Sequence, residues 1–462
     1  MTIKNKIIPY NFKQVPMNFV RKVYASLPLN QKTKKNIKNR IYIHLGFLLK
    51  NTEMYKKWEE TTELNILKNK YELQSQYISN LIDNANNKSK NYIDYNNDLN
   101  INLKEDDIKL IAFYLPQFHP FPENDEWWGK GFTEWTNVTK AVPKFLGHYQ
   151  PHLPIDLGFY DLRLIETTKR QIELAKKYGV FGFCFHYYWF NGKRLLEKPL
   201  NMFLESSSEL NFPFCLCWAN ENWSRRWDGL DNDILIAQKY SPEDDLEIIK
   251  DLSKYILDDR YIKIDGRPVI IIYKPQLLPN PKETFFKWRE HCRKEGLGEL
   301  FLVGAKRHDF IDPQTYGLDA AVEFPPNTPH PTQIHKNINF IEKGNHPTVY
   351  DLNKFVKSKS YLEKNENYLK FKTVVPSWDN TARRGNNGQV YVGNPEIYQE
   401  WLMNVMKFTK ENMGENKQIV FINAWNEWAE GAHLEPDRKF GYGYLESTAK
   451  AIIEIRKLKS EI

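Results

Sequence analysis

Long apolar runs and an export signal are the features that this sequence lacks. No run of about 18 apolar residues occurs, so we expect no membrane-spanning helix. The opening stretch MTIKNKIIPYNF has no apolar core followed by small residues, so no secretion signal is visible. These two absences predict a cytoplasmic protein, and peripheral contact with the inner face of the membrane is compatible with them.

Cysteine is also scarce, with four residues in 462. Cys184, Cys215 and Cys217 lie inside apolar, strand-like runs, and Cys292 lies in a helical segment. This placement is typical of buried free thiols in a reducing compartment. Cys215 and Cys217 share one face of a strand, but no other ligands stand at zinc spacing. We therefore predict no metal and no cofactor.

Acidic residues are missing from the start of the chain. Residues 1–52 contain eleven Lys or Arg and no Asp or Glu, although the whole chain carries a net charge of only +7. Helical spacing of apolar residues predicts a basic helical extension over residues 1–82. Such helices lie on anionic membranes, pack on a partner or on the main domain, or stay solvated. Residues 83–107 are rich in Asn and predict a polar linker.

From residue 108 onward, apolar runs alternate with helix-like segments. Credible helices cover residues 162–179, ending at Gly179, and residues 281–298. Eight apolar runs read as buried parallel strands: residues 110–115, 180–185, 213–218, 268–273, 300–305, 320–324, 373–378 and 419–425. This pattern predicts an α/β fold, a single (β/α)₈ TIM-type barrel over residues 108–462 with an insertion at about 325–371. A doubly wound sheet is the alternative, but no glycine-rich phosphate loop follows a strand.

Polar and aromatic side chains follow seven of the eight strands. The functional groups of such barrels lie at the carboxyl ends of the strands. Aromatic faces together with amides and carboxylates suit a sugar, which has apolar ring faces and a rim of hydroxyls. The candidate substrate-binding residues are Tyr114, Gln117, His119, Trp127, Trp128, Glu134, His186, Tyr187, Trp218, Asn220, Glu221, Tyr273, Glu323, Trp378, Asp379, Trp425 and Asn426.

The last strand leads directly into a group of carboxylates. Residues 418–437 read QIVFINAWNEWAEGAHLEPD, in which Glu427, Glu430 and Glu435 fall within nine residues. Glycoside chemistry uses one protonated and one ionised carboxyl group, with aromatic rings to hold the sugar. If Trp428 and Ala429 form a turn, Glu427 and Glu430 can face one cavity. We therefore predict that these two residues are catalytic.

Several motifs together resemble a known family. The segments YLPQFH, NDEWWGKGFTEWTNV, HYYW, WANENWSRRWDG and WNEWAEG, spread over residues 108–455, are similar to the WbsX family, which is related to glycoside hydrolase family 99. The resemblance implies a (β/α)₈ enzyme that acts on α-linked sugars and belongs to bacterial surface-polysaccharide clusters such as those for O-antigen or capsule. WbsX members are commonly labelled glycosyltransferases, and the related hydrolases are endo-acting α-mannosidases and mannanases.

The resemblance also implies a mechanism. In the related hydrolases the motif N-E-W-H-E-G supplies a base and then an acid, which correspond to Glu427 and Glu430. The base deprotonates the 2-hydroxyl of the sugar, which attacks the anomeric carbon to give a 1,2-anhydro sugar that water opens with retention. Ala429 stands where the hydrolases have His, which leaves the sugar and the linkage open.

Three other functions compete with a retaining carbohydrate-active enzyme. A sugar-nucleotide glycosyltransferase would need cations for a diphosphate, and the basic pairs Lys193-Arg194, Arg225-Arg226 and Arg383-Arg384 could provide them. A non-catalytic glycan-binding module would keep the aromatics but not the carboxylates. Binding of nucleic acid by residues 1–52 is disfavoured because the basic residues follow no familiar reader motif. We expect a glycan or glycolipid substrate and no nucleic acid.

Overall fold

The computed structural model describes most of the 462 residues. The described ranges are 26, 28–86, 88–225, 230–307, 309–310, 312–326, 331–335, 338–342, 344–363 and 366–460. Residues 1–25 and Arg226, on which parts of the predicted extension and of the predicted basic pairs fall, lie outside the described residues. The chain divides into two compact units, Met1–Gln76 and Tyr77–Ile462.

Eight parallel strands form a closed barrel, as predicted. The first strand pairs with both the second and the eighth, so the sheet has no free edge. All eight apolar runs of the sequence supply one strand each. The barrel strands are β1 (Lys109–Tyr114), β2 (Gly182–Phe190), β3 (Phe214–Trp218), β4 (Arg267–Ile272), β5 (Phe301–Lys306), β6 (Ala320–Glu323), β7 (Lys370–Val374) and β8 (Ile419–Ile422).

Helices follow the strands and cover the outside of the barrel. Each strand is followed by a helix before the next strand begins, which is the (β/α)₈ arrangement. Among the described residues, α1 (Gln31–Leu49) and α2 (Glu53–Asn86) precede the first barrel strand. The helices after it are α3 (Pro122–Trp128), α4 (Glu134–Lys140), α5 (Ile165–Lys177), α6 (Glu197–Glu205), α7 (Pro242–Ile256), α8 (Pro281–Lys294), α9 (Pro313–Tyr316), α10 (Leu352–Ser358), α11 (Thr381–Arg384), α12 (Pro395–Asn412) and α13 (Gly443–Ser460).

Alternation along the strands divides the core into two layers. Phe113 of β1 faces the barrel interior, where its ring lies 5.5 Å from that of Phe421 and 4.9 Å from that of Phe324. The next residue, Tyr114, faces outward and packs on Phe183 and Phe185 of β2. Because both layers are apolar, each strand reads as a continuous hydrophobic run.

The predicted helix before β2 ends at a glycine, as expected. Helix α5 ends at Lys177, and Gly179 has a φ of +81°, a conformation that favours glycine. A Cβ atom there would come within 2.4 Å of Ile452 and 2.8 Å of Ile101. Gly179 therefore serves both the turn and the close approach of two neighbouring segments.

A polar linker was predicted over residues 83–107. Helix α2 continues to Asn86, and residues 88–107 pack onto the barrel. Ile101 is buried, and its amide donates to the carbonyl of Lys177 at 2.9 Å. The amide of Ile93 donates to Phe440, and the Asp107 carboxylate pairs with Arg456 at 2.5 Å. Residues 88–107 have the composition of a loop, but these backbone hydrogen bonds and the buried Ile101 side chain hold them in place.

The unit Met1–Gln76 contains α1 and most of α2. Tyr42 of α1 packs against Tyr55 and Trp58 of α2, with ring centroids 5.6 and 5.0 Å apart. The indole nitrogen of Trp58 donates to Asn39 at 2.9 Å. Helix α1 also exposes Ile43 and Phe47. Throughout the described part of the chain, no helix has the combined length and apolar character that crossing a membrane requires.

The insertion after β6 forms part of a second, smaller sheet. The short strands Thr332–Gln333 and Thr348–Asp351 pair with each other, and Thr348–Asp351 pairs with Gln389–Val392. The strand Gln389–Val392 also pairs with Trp378–Asp379, which follows β7. The insertion is thereby joined to the loop after β7, at the carboxyl end of the barrel.

Candidate active site

One arginine gathers three carboxylates at the carboxyl end of the barrel. Arg383 Nη2 lies 2.6 Å from Glu427 Oε1 and 2.9 Å from Glu134 Oε2, and Arg383 Nη1 lies 2.9 Å from Glu430 Oε1. These residues follow β7, β1 and β8, which are neighbours in the barrel. Glu427 and Glu430 therefore both approach the same guanidinium.

The turn after β8 explains why two glutamates three residues apart point together. Asn426–Glu427 pairs with Ala432–His433 in a short hairpin, and Trp428–Glu430 forms one turn of 3₁₀-helix between them. Side chains at positions i and i+3 of a 3₁₀-helix are eclipsed. The turn ends at Gly431, whose φ is +58°. This hairpin, residues 426–433, is called the carboxylate hairpin below.

Asp379 fixes the start of the short helix α11, which carries Arg383. Its Oδ1 accepts hydrogen bonds from the Thr381 amide at 3.0 Å and the Thr381 hydroxyl at 2.6 Å, at the start of α11. Its Oδ2 contacts His148 Nε2 at 2.6 Å and Gln150 Nε2 at 2.7 Å. Contact with His148 and the hydrogen bond from Thr381 hold the pKa of Asp379 at about 2 despite its burial. Asp379, a candidate substrate ligand, is thus engaged in shaping the loop.

The electrostatics of the cluster favour a shared proton. Three carboxylates around one guanidinium would leave excess negative charge in a buried site. Burial raises the pKa of Glu427 to about 8, the charges of Glu430 and Glu134 act in the same direction, and Arg383 opposes them. The cluster therefore holds a shared proton at neutral pH. The side chain of Glu430 is 25% exposed, so the cluster reaches solvent.

An aromatic wall lies beside Glu427. Tyr188 is close enough that the negative charge of Glu427 raises the pKa of its phenol, after the larger effect of burial. The Tyr188 hydroxyl accepts a hydrogen bond from Gln117 at 3.0 Å. The Tyr188 ring packs against Trp223 at 5.0 Å, and Trp223 packs against Trp127 at 5.9 Å. Trp127 and Trp223 are half-buried and can present ring faces to a sugar.

Tyr273, at the end of β4, forms another part of the same region. Its hydroxyl contacts Arg307, and its ring packs on Phe324 at 5.0 Å. Burial raises the pKa of the Tyr273 phenol, with further contributions from the charges of Glu221 and Glu430. Tyr273 and Glu430 are therefore electrostatic neighbours on the rim of the barrel.

Three candidates lie on the outer side of their strands and do not join the cluster. The Tyr114 hydroxyl donates to Gln171 of α5 at 2.7 Å, and the Tyr187 hydroxyl donates to Asp251 of α7 at 2.7 Å. Trp218 packs against a tryptophan of α8 at 5.6 Å. These side chains stabilise the layer between strands and helices, because successive strand residues point to opposite faces.

Two more candidates are engaged in the core. Glu323 accepts a hydrogen bond from Lys372 Nζ at 2.8 Å, and the two side chains form a buried ion pair. Trp425 donates from its indole nitrogen to Glu435 at 3.0 Å. Glu435 also binds the indole of Trp428, and burial raises its pKa to about 7. Glu435 therefore anchors the carboxylate hairpin through its hydrogen bond with Trp428.

Asparagine side chains tie strand ends together. Asn220 bonds the amide and the carbonyl of Lys274 at 2.7 and 2.8 Å, and Asn426 bonds the amide and the carbonyl of Leu115 at 2.7 and 3.0 Å. Glu221 forms an ion pair with Lys274. Both asparagines satisfy backbone groups where the barrel strands end, which positions the loops.

Four candidates have their aromatic rings in packing contacts or in the small sheet. His186 stacks on Phe113 at 5.9 Å and Trp128 stacks on Phe132 at 5.8 Å. His119 is buried, with its ring 6.1 Å from that of Phe121, and Trp378 is buried in the strand 378–379.

The sequence did not assign two members of the site. Tyr188, rather than its neighbour Tyr187, lies beside Glu427, and Arg383 was considered only as a phosphate ligand. Alternation along β2 would distinguish Tyr188 from Tyr187 only if the inward phase of that strand were known. Glu134, which follows β1, reaches Arg383 only because the closed barrel places β1 beside β8.

A closed (β/α)₈ barrel with carboxylates collected at the carboxyl ends of its strands has the architecture of TIM-barrel enzymes. The chain belongs to the WbsX glycosyltransferase family, because the family model described as "Glycosyltransferase WbsX" matches residues 110–448. Family membership was predicted from the motifs and is confirmed.

Curated relatives agree with this membership. A protein named WxcX from Xanthomonas campestris pathovar campestris is 44% identical over 354 residues, which cover 76% of this chain and 51% of that protein. A second strain of the same pathovar has a WxcX protein with the same identity and coverage. This chain spans about half the length of the curated relatives it matches.

Solved structures show distant similarity. An endo-α-mannosidase of glycoside hydrolase family 99 from Bacteroides thetaiotaomicron is 17% identical, with 78% of this chain and 100% of that chain covered and a TM-score of 0.49. A glycoside hydrolase-like protein is 16% identical, with 78% and 98% covered and a TM-score of 0.49.

Proposed function

We propose that this chain is a retaining carbohydrate-active enzyme that acts on α-linked, mannose-like glycans in bacterial surface-polysaccharide biosynthesis. The observation that carries the proposal is the contact of Glu427 and Glu430 with the single guanidinium of Arg383. The arrangement places two carboxyl groups that share one proton in a site with access to solvent, and glycoside chemistry uses one protonated and one ionised carboxyl group.

The proposed reaction uses both carboxylates. In the reactive form the shared proton is on Glu430 and Glu427 is ionised. Glu427 takes the proton of the sugar's 2-hydroxyl, O2 attacks C1 as the glycosidic bond breaks, and Glu430 protonates the departing oxygen. Glu430 then removes a proton from water or from an acceptor hydroxyl, whose oxygen attacks C1 as the C1–O2 bond breaks, and Glu427 returns its proton to O2. Glu134 Oε1 is buried without a hydrogen-bond partner among the described residues, so it can accept a bond from another sugar hydroxyl.

The pH dependence of the rate tests these roles. The reaction needs one ionised and one protonated carboxyl group, so the reactive form carries one proton within the pair. This proton is lost as the pH rises through the pKa of Glu427, about 8, and we expect kcat/KM to fall above that value. A rate that stays constant or keeps rising well above pH 8 would refute the need for a protonated carboxyl group.

Replacing either glutamate tests the proposal directly. Glu427→Gln and Glu430→Gln should each lower turnover by about 10²-fold or more while the protein stays folded and binds glycan. The assay is release of sugar from α-mannoside oligosaccharides. Glu299→Gln is the matched control, since Glu299 pairs with Arg289 and Arg293 just before β5, at the opposite end of the barrel. Full activity in Glu427→Gln or in Glu430→Gln would refute the catalytic role of that residue.

Transfer from a sugar nucleotide is the second candidate, favoured by the family's description as a glycosyltransferase. Two of the basic pairs proposed for a diphosphate have engaged members. Lys193 pairs with Glu123 at 2.5 Å, Arg194 contacts the Tyr255 hydroxyl at 2.6 Å, and Arg383 is held in the carboxylate cluster. Incubation with a panel of sugar nucleotides, beside the oligosaccharides, separates transfer from hydrolysis.

We also propose a cytoplasmic location with peripheral contact to the inner face of the membrane. The support is the basic segment 1–52 and the exposure of Ile43 and Phe47 on α1, because anionic lipid attracts basic helices that also carry apolar side chains. Flotation with anionic vesicles of the full chain and of a chain lacking residues 1–52 tests this contact.

A further inference from the structure

We propose that His152, His433 and Asp437 form a binding site for one zinc ion. One ligand atom from each residue lies within 4.8 Å of the other two. His152 Nδ1 is 3.0 Å from His433 Nε2, and His433 Nε2 is 3.8 Å from Asp437 Oδ2. Two imidazoles and one carboxylate are donors that zinc accepts readily.

The spacing of these atoms suits a tetrahedral ion. Two ligand atoms that each bind zinc at about 2.0–2.1 Å lie roughly 3.3–3.4 Å apart. The separations of 3.0 and 3.8 Å fall on either side of this value. The third pair, His152 Nδ1 and Asp437 Oδ2, lies within 4.8 Å, so the three atoms can close around one ion by side-chain movements of about 1 Å.

A hydrogen bond orients His433 for this role. His433 Nδ1 lies 2.9 Å from the carbonyl oxygen of Glu435, which can only accept, so Nδ1 carries the proton. The lone pair of a neutral ring is then on Nε2, the atom that faces His152 and Asp437. Histidine ligands of metals are commonly fixed through their other nitrogen in this way.

Asp437 provides the independent observation. Its Oδ1 accepts hydrogen bonds from the amides of Lys439 and Phe440 at 2.8 and 2.6 Å. Its Oδ2 lies 3.8 Å from His433 Nε2 and makes no hydrogen bond of normal length among the described residues, although Asp437 is only 1% exposed and its carboxyl group also interacts with the hydroxyl of Tyr149. An unpaired carboxylate oxygen in the interior is costly, and a cation would satisfy it.

The charged neighbour of the site is Lys439. Its ammonium group lies over the rings of Tyr149 and Phe440, 4.8 and 5.1 Å from their centroids.

The site lies next to the carboxylate hairpin. The His433 ring stacks on that of Trp428, with centroids 3.9 Å apart and an angle of 16° between the planes. His152 comes from the segment before α5, so an ion would join this segment to the hairpin. We infer that the ion holds the hairpin in place, whether or not the proposed reaction is correct.

Metal content of the full chain tests the proposal. Protein expressed with zinc and freed of loosely bound metal should retain about one zinc per chain by plasma mass spectrometry. Asp437→Asn keeps Oδ1 as an acceptor for the two amides but loses the anionic ligand. We expect its zinc affinity, measured by competition with a chromophoric chelator, to fall roughly tenfold or more.

His148→Gln is the matched control. His148 is a buried histidine nearby, but it contacts Asp379 and lies outside the proposed ligand set. This variant should keep the wild-type zinc content. Equal loss of zinc in both variants would overturn the assignment of ligands. If folded wild-type protein retains less than a tenth of an equivalent, the histidines are a hydrogen-bonded pair and the zinc site is refuted, whether or not Asp437→Asn folds.

Discussion

Replacing Glu427 with glutamine should change how stability depends on pH. The pKa of Glu427 is about 8 in the folded protein, mainly because burial disfavours the charge, against an ordinary value of 4.5. Between these values the folded chain keeps a proton that the unfolded chain releases. Raising the pH through this window therefore lowers the free energy of unfolding of the wild type, and the decline stops above pH 8. Glutamine resembles the protonated form and removes this dependence.

The magnitude follows from the part of the window that an experiment crosses. From pH 6 to pH 9 the protein passes through about two pH units below the folded pKa, which corresponds to roughly 3 kcal/mol for an isolated group. Glu134 and Glu430 share the cluster, so the proton is lost over a broader range. We expect Glu427→Gln to gain roughly 1–3 kcal/mol relative to wild type between these two pH values.

Urea unfolding at pH 6 and at pH 9, followed by tryptophan fluorescence, measures this difference. Glu299→Gln controls for loss of a carboxylate elsewhere in the barrel. The reasoning is refuted if Glu427→Gln loses stability relative to wild type as the pH rises. That result would mean that Arg383 stabilises the ionised form of Glu427 by more than burial disfavours it.

Three other perturbations test separate parts of the structure. Arg383→Gln should lower turnover strongly and move the fall of kcat/KM at alkaline pH to higher pH, because Arg383 lowers the pKa of Glu427; an unchanged pH profile would contradict the contact. Gly431→Ala should destabilise the fold by roughly 1–3 kcal/mol, since φ is +58° and a Cβ atom would come within 3.0 Å of Asp379; a urea midpoint equal to wild type would count against the turn. Removing residues 1–52 should reduce flotation with anionic vesicles without lowering activity, and equal flotation would end the membrane proposal.

The fold was largely predictable because the barrel strands are buried on both faces. Runs such as residues 268–273 and 300–305 are apolar throughout, and helix-length segments separate them. Gly179 marked the end of its helix correctly, since the left-handed turn there favours glycine. The Asn-rich stretch 83–107 is less transparent, because backbone hydrogen bonds such as that of Ile101 leave no mark in composition.

The same burial hides which side chains face the site. Tyr187 and Tyr188 are adjacent, aromatic and almost fully buried, yet one faces α7 and the other lies beside Glu427. A strand with one solvated face shows its inward phase as alternation, whereas a strand with two apolar faces does not. Sequence alone therefore named too many candidates, among them Tyr114, Trp218 and Glu323.

The order of the strands, the presence of carboxylates after β8 and the family were determined by the sequence itself, through hydrophobic runs and local motifs. Only the closed barrel decided that Glu134 meets Arg383 and Glu427, since Glu134 is 249 residues from Arg383 along the chain and β1 becomes a neighbour of β8 only on closure. The protonation of Glu427 was decided there too, because the pKa depends on burial and on the surrounding charges, which no linear motif contains.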